Sequence, residues 1–276
     1  LLLGPKVSIA FDDGWVSSLF IGAPILEEYG YRASFYICTD WVDKPGFQGD
    51  YMTSKQLKTL AKQGHEIGSH SRIHSNLTEM SFDEKRSQVE DSFEALASLG
   101  HFAAGFAPPL GAFDGEISAL VEGRYDYLRT VKNGVNQQPY KAYDLRTVVV
   151  TRQMKASDVR AWVDLSASEG SWLILLYHRS TVDEMQDGQT FQSPEQFRTV
   201  LDILVERDAI VLPIGEMLGA WVPESYEGFG DTTYTVKGFE QPEVGSSGCS
   251  ATPNSAGKEA WLLVLVLLSL ITVFRS

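Results

Sequence analysis

The sequence has few basic residues, few cysteines, no internal repeat and only one long apolar run. Lys and Arg number 23 against 36 Asp and Glu in 276 residues, a formal net charge of -13. With no basic cluster of useful size, a nucleic-acid backbone is excluded as a partner, and the acidic balance otherwise speaks only for solubility. Two cysteines do not make a disulfide scaffold: Cys38 lies in the apolar segment 33–38 and reads as a small core residue, whereas Cys249 lies in a Ser/Gly stretch. This pattern leaves the compartment open. The absence of a repeat excludes a solenoid or propeller. The one long apolar run, 261–274, is shorter than the roughly 20 residues that cross a bilayer. Leu1, Leu2 and Leu3 read either as the end of a signal-peptide apolar region or as strand residues.

What is present is a globular composition, 43% hydrophobic, with strand and helix patterns in alternation. Strand-like runs at 7–11, 33–39, 65–70, 103–107, 127–131, 145–151, 172–177 and 209–212 are separated by helical segments. Those segments are 18–28, 54–62, 81–99, 114–122, 157–168 and 194–206. The 81–99 helix opens with a capping-box spacing, Ser81 to Glu84, and stops at Gly100. This alternation predicts an α/β fold of parallel strands covered by helices, closed or nearly closed into a barrel. From Val222 the character changes. Residues 223–258 are rich in Gly, Ser, Glu, Thr and Pro and read as a flexible linker; residues 259–276 form a hydrophobic segment ending in Arg275-Ser276. A small-residue patch, polar spacer, apolar tail and terminal arginine have the layout of a C-terminal sorting signal or a glycolipid-anchor signal, with a short tail anchor as the alternative. Either signal implies export, to the cell surface, the periplasm or the extracellular space, with anchoring or processing through the C-terminal tail.

The strand 7–11 stops at Asp12 and Asp13 followed by Gly14. Two acids and a glycine are also a common turn, so the pair gains meaning from its companions. His70 and His74 stand four apart at the end of another strand, a spacing that suits a shared metal as well as ordinary surface histidines. His178 ends the most apolar strand of the chain. In a barrel of alternating strands and helices, strand ends converge on one face, where active sites of that architecture form. Asp13, His70 and His74 would then make a two-histidine, one-carboxylate site for Zn²⁺, with Co²⁺ or Ni²⁺ as alternatives. Asp12 would be free as a general base and His178 as a general acid. Trp15 and Trp41 follow strand ends and could line a sugar cleft, the other tryptophans being mostly core. His65 reads as making local hydrogen bonds.

Four blocks, AFDDG, GHEIGSHSRIH, FAPPLG and LLYH, resemble in sequence, order and spacing those of the polysaccharide deacetylases of carbohydrate esterase family 4, the NodB-homology domain. The resemblance covers residues 6–221. It implies a distorted (β/α) barrel spanning a catalytic domain at 5–222, and a hydrolase that removes N- or O-linked acetyl groups from a carbohydrate polymer. Carried over residue by residue, Asp12 matches the base, Asp13, His70 and His74 the metal ligands, and His178 the acid. Leu110 matches the position whose backbone N–H holds the oxyanion. Ala107 departs from the pattern, since many members carry there an arginine that orients the base. Arg152 or Arg146 is the expected substitute, and Asp144 the expected acidic partner of His178. The departure motivates two alternatives: a surface-anchored carbohydrate-binding pseudoenzyme, or a hydrolase of the same fold acting on a non-sugar amide.

Overall fold

The computed structural model describes residues 4–44, 50–180 and 191–223. Seven parallel strands close on themselves: β1 (Lys6–Phe11), β2 (Ser34–Ile37), β3 (Glu66–Ser69), β4 (Gly105–Phe106), β5 (Tyr127–Asn133), β6 (Leu145–Val149) and β7 (Trp172–Tyr177). Closure is made by β1 and β7, which pair residue for residue from Lys6 opposite Trp172 to Phe11 opposite Tyr177. A two-residue ladder of β8 (Arg179–Ser180) and β9 (Phe191–Gln192) follows β7. Strand β10 (Ile210–Val211) pairs with Lys6 and Val7 at the start of β1. It complements β2, which meets β1 only at Ala10 and Phe11. The barrel expected from the alternation of strands and helices is therefore the observed fold.

Alternation along each strand sorts the core into two layers, because successive side chains point to opposite faces. Val7, Ile9 and Phe11 of β1 join Phe35, Ile37 and Leu175 in the layer beneath the helices. Ala10, Tyr36, Tyr127, Trp172, Ile174 and Leu176 form the second cluster, inside the barrel. The inward phase continues past the strand ends to Asp12 after β1, His70 after β3 and His178 after β7. Three candidate residues thus share a face by parity alone. Two glycines make room inside: a Cβ on Gly105 would lie 2.0 Å from Tyr127 Cζ, and one on Gly68 would lie 2.7 Å from Tyr36 Cδ1.

The helices are α1 (Ala23–Glu28), α2 (Ser54–Lys62), α3 (Phe82–Arg86), α4 (Ser92–Ser98), α5 (Gly115–Glu122), α6 (Ala156–Glu169), α7 (Pro194–Glu206) and α8 (Ile214–Leu218). Two of the expected helices contain a π turn. Ser18–Gly22 precedes α1, and Ser87–Asp91 joins α3 to α4 within the predicted 81–99 helix. Its capping box is present: the Ser81 N–H and hydroxyl both donate to Glu84 Oε2 at 2.8 and 2.7 Å. Helix α7 buries Phe197, Val200, Leu201 and Leu204, the i, i+3, i+4, i+7 stripe of a helix lying on a sheet. The strand expected at 103–107 shrinks to Gly105–Phe106, and Pro108 and Pro109, which have no N–H, stop the ladder beyond Ala107.

Among the described tryptophans only Trp172 is buried; Trp15, Trp41, Trp162 and Trp221 are half-exposed, which corrects the expectation of a mainly core role. Cys38 is buried with a free thiol, as its apolar surroundings suggested. Leu1 to Leu3, Cys249, the linker beyond Pro223 and the 259–276 segment lie outside the described residues. Among the described residues no helix is long and apolar enough to cross a membrane.

Candidate metal centre at the mouth of the barrel

Immediately after β1 the backbone turns sharply. Asp13 and Gly14 take φ values of 73° and 76°, a left-handed conformation that aspartate tolerates better than most residues. The turn breaks the inward–outward alternation, so that two adjacent carboxylates serve one pocket. Asp12 N–H donates to the Tyr177 carbonyl at 2.9 Å and continues the β1–β7 ladder. Asp13 Oδ1 lies 3.3 Å from His70 Nε2 and 3.3 Å from His74 Nε2.

The His70 ring is fixed from behind. Its Nδ1 lies 2.6 Å from the Ala107 carbonyl, which can only accept, so Nδ1 carries the hydrogen and the Nε2 lone pair of the neutral ring faces Asp13. Asp13 Oδ1 and His70 Nε2 are both buried, and neither has a hydrogen-bond partner among the described residues. One donor atom each from Asp13, His70 and His74 lies within 4.8 Å of the others. Three donor atoms that converge in this way suit a divalent cation. Burial works to raise the Asp13 carboxyl, yet the neighbouring imidazoles of His70, His178 and His74 outweigh it and hold it well below the usual carboxylate range. Burial likewise works to lower His70, and Asp12 and Asp13 overcome it and raise the ring. His74 is lowered, by burial and then by His70. Two imidazoles and one carboxylate match the donor set of a divalent transition-metal site.

The second acid has its own cation, and it is neither of the expected arginines. Arg129, in the middle of β5 and fully buried, places Nη2 2.6 Å from Asp12 Oδ1 and 2.7 Å from Asp12 Oδ2. Arg146 is instead exposed on β6 and donates to the Asn133 carbonyl at 3.1 Å. Arg152 lies in the loop between β6 and α6, where its carbonyl accepts from Gln196. Parity explains the substitution. Tyr127 and Arg129 are the inward residues of β5, the strand next to β4, so the cation that Ala107 cannot supply reaches Asp12 from the adjacent strand. The sequence signal was a lone arginine in the apolar run Tyr127-Leu128-Arg129-Thr130-Val131, a position that buries a charge unless it is paired.

His178 stands at the end of β7, close enough for its charge to bear on Asp13 and His74. Its carbonyl accepts from Ser18 Oγ at 3.2 Å, which ties the first π turn to the barrel seam. Its Nδ1 is buried without a partner among the described residues. Asp144 is not that partner: it sits before β6 and pairs with Lys132 at 2.6 Å. Leu110 lies in a single turn, Pro109–Gly111, with φ 58° and its side chain largely exposed. A leucine in the left-handed region is strained, and such strain gathers where the backbone itself is used.

The loop carrying both histidines is clamped by residues that sequence reasoning passed over. Arg72 donates through Nε and Nη2 to the two oxygens of Asp40 at 3.2 and 3.0 Å, while the N–H groups of Arg72 and Ile73 donate to Gln88 Oε1 at 3.2 and 3.1 Å. Gln88 belongs to the second π turn, an irregularity that recurs near functional sites. His65 bonds farther afield than expected: its Nδ1 accepts from Ala33 N–H at 3.1 Å, joining the starts of β2 and β3.

Known proteins resemble this chain in part of its length and in its fold. The polysaccharide deacetylase family model matches residues 3–127. Curated relatives include the peptidoglycan-N-acetylglucosamine deacetylase PgdA of Listeria monocytogenes, 28% identical over 116 residues, covering 41% of this chain and 23% of that protein. Chitin deacetylase 1 of Saccharomyces cerevisiae is 29% identical over 119 residues, covering 42% of this chain and 36% of that protein. Among solved structures, the Bc1960 peptidoglycan N-acetylglucosamine deacetylase superposes with a TM-score of 0.56 at 20% identity, over 78% of this chain and 90% of that one, a likeness of fold. The family model and the relatives together support a polysaccharide deacetylase domain in this chain. The matches span well under two thirds of the relatives' own lengths, 23% for PgdA and 36% for the chitin deacetylase.

Proposed function

We propose that the chain is a metal-dependent hydrolase that removes acetyl groups, N- or O-linked, from a carbohydrate polymer and releases acetate. The observation that carries this reading is Asp13 Oδ1 lying 3.3 Å from two imidazole nitrogens, beside a second acid held by a buried arginine. Asp13, His70 and His74 would hold a divalent ion, Zn²⁺ foremost. When bound, such an ion supplies Lewis acidity toward the acetyl carbonyl and toward attacking water. Asp12 accepts a proton as water adds to the carbonyl carbon, and Arg129 keeps its carboxylate oriented and charge-compensated. The Leu110 backbone N–H donates to the oxyanion that develops. His178 gives a proton to the departing amine or hydroxyl as the C–N or C–O bond breaks. The relatives named for peptidoglycan N-acetylglucosamine and for chitin favour a polymer containing N-acetylglucosamine. Export and attachment through the linker 223–258 and the segment 259–276 belong to the same reading and are supported by sequence layout alone.

The pseudoenzyme alternative loses its motive, because it arose from the alanine at 107 and Arg129 supplies the cation from β5. The test is acetate release from N-acetylglucosamine oligomers, peptidoglycan and acetylated xylan, with metal content measured on the same sample. Activity lost to a chelator and restored by Zn²⁺ is the expected result. Sugar binding without acetate release at any metal loading would refute the hydrolase.

A further inference from the structure

The Asp13 carboxylate has two oxygens, and the structure uses them differently. Oδ1 faces the two imidazoles without a hydrogen-bond partner among the described residues, whereas Oδ2 accepts from the indole Nε1–H of Trp15 at 2.8 Å. The indole is itself braced. Its ring stacks on Tyr51 at 4.6 Å and 29°, and the Arg179 guanidinium carbon sits 4.7 Å from the ring centroid. The backbones of Trp15 and Tyr51 form an antiparallel bridge, flanked by Val16 N–H to the Asp50 carbonyl at 2.7 Å and Met52 N–H to the Gly14 carbonyl at 2.9 Å. The row continues from Tyr51 to Trp41 at 4.4 Å, and from Trp41 to the His74 imidazole at 6.0 Å and 28°. One aromatic row therefore touches the carboxylate at one end and the second histidine at the other.

We infer that Trp15 is a positioning residue for the metal centre, which rests on the metal reading proposed above: its indole N–H occupies Asp13 Oδ2 and makes Asp13 a one-oxygen ligand. A carboxylate free to rotate could offer both oxygens to a cation and fill a coordination position that water or substrate needs. An indole N–H has a fixed direction and no accepting capacity, so it holds one oxygen without competing for the cation. Hydrogen bonds to the far atom of a ligand commonly govern metal affinity about 10- to 100-fold. The ring's own contacts explain why a tryptophan stands here rather than a smaller donor.

The experiment uses the full chain with Trp15→Phe, which keeps an aromatic ring and deletes the donor. Zn²⁺ affinity is expected to weaken about 10- to 100-fold by competition titration. The visible spectrum of the Co²⁺-loaded protein is expected to lose intensity, as a second carboxylate oxygen raises the coordination number. An unchanged affinity together with an unchanged Co²⁺ spectrum would overturn the inference. Tyr51→Leu removes the stacking support but keeps the N–H, and should weaken Zn²⁺ binding less than Trp15→Phe. Equal losses in the two variants would assign the effect to packing and overturn the role given to the hydrogen bond. Asp13→Ala is the separate control: Zn²⁺ binding unaffected by that change would remove the metal reading itself, and this inference with it.

Discussion

At the base of the barrel Glu66 is fully buried, and each of its carboxylate oxygens has a donor: Tyr127 OH reaches Oε1 at 2.8 Å, and Ser34 Oγ and Gly215 N–H reach Oε2 at 2.6 and 3.0 Å. At the mouth Asp13 Oδ1, His70 Nε2 and His178 Nδ1 are buried with no hydrogen-bond partner among the described residues. Both clusters are polar side chains inside one barrel, and the column between them is continuous. Tyr127 accepts from Tyr36 OH at 2.8 Å, and the Arg129 guanidinium lies 4.9 Å from the Tyr36 ring centroid and bonds Asp12. The base is a closed hydrogen-bond set that fastens α8 to the strands. The mouth is an open one. An unsatisfied buried group costs stability that a folded chain tolerates where something else is to be bound, and satisfied groups at the base supply the rigid footing.

Breaking the comparison at the mouth should give the largest effect, and it should fall on turnover. Asp12→Asn is expected to lower kcat about 10²- to 10⁴-fold, the range for loss of a general base, while metal content stays near that of the parent protein. Acetate release and elemental analysis on one preparation check both halves. Arg129→Ala removes one partner of a buried ion pair, and chemical denaturation should show a stability loss of about 3–5 kcal/mol together with slowed turnover. Adding Ala107→Arg to that variant should recover part of both, because the second cation would return on the neighbouring strand. No recovery would mean that the β4 position cannot reach Asp12 in this barrel.

Glu66→Ala tests the base. It strands the Tyr127 and Ser34 hydroxyls and the Gly215 N–H, and should lower unfolding free energy by about 3 kcal/mol while leaving Zn²⁺ affinity unchanged. A comparable loss of metal affinity would show that the two ends are not separable. The smallest effect at neutral pH belongs to His65. Burial, and then the charge of Arg32, push its ring down to about 3 from 6.5, and its Nδ1 must stay unprotonated to accept from Ala33. The stability it contributes is complete above pH 6.5 and is lost as pH falls toward 3, by up to about 1.4 kcal/mol per pH unit. His65→Gln keeps an acceptor without the titration, so its urea midpoint should decline less between pH 6.5 and 4.5.

Much of this was legible in the residues, for a physical reason. The α/β barrel follows from alternating runs, and Asp12, His70 and His178 follow from strand ends that share an inward phase. Asp13 was readable as a candidate because it adjoins Asp12, but its position in the pocket depends on a left-handed backbone that no pattern announces. Arg129 was missed because it lies mid-strand, 117 residues from the acid it serves, and only the order of strands brings the two together. The π turns were read as plain helix, since a one-residue insertion leaves hydrophobic spacing almost unchanged. Asp144 is not the acidic partner of His178, because Lys132 on β5 pairs with it at 2.6 Å, a pairing that depends on strand order rather than on local sequence.

The β1–β7 seam also sets a timetable for synthesis. The proposed ligand residues and the proposed base lie between positions 12 and 74, but β1 is hydrogen-bonded along its whole length to a strand that ends at Tyr177. A nascent chain emerging from the ribosome carries the pocket's side chains long before it can shut the cylinder that aligns them. Contacts so distant along the chain form late, because a long loop must close before they contribute. Cation-binding competence should therefore arise abruptly once the seventh strand has cleared the exit tunnel, rather than accumulate as each histidine appears.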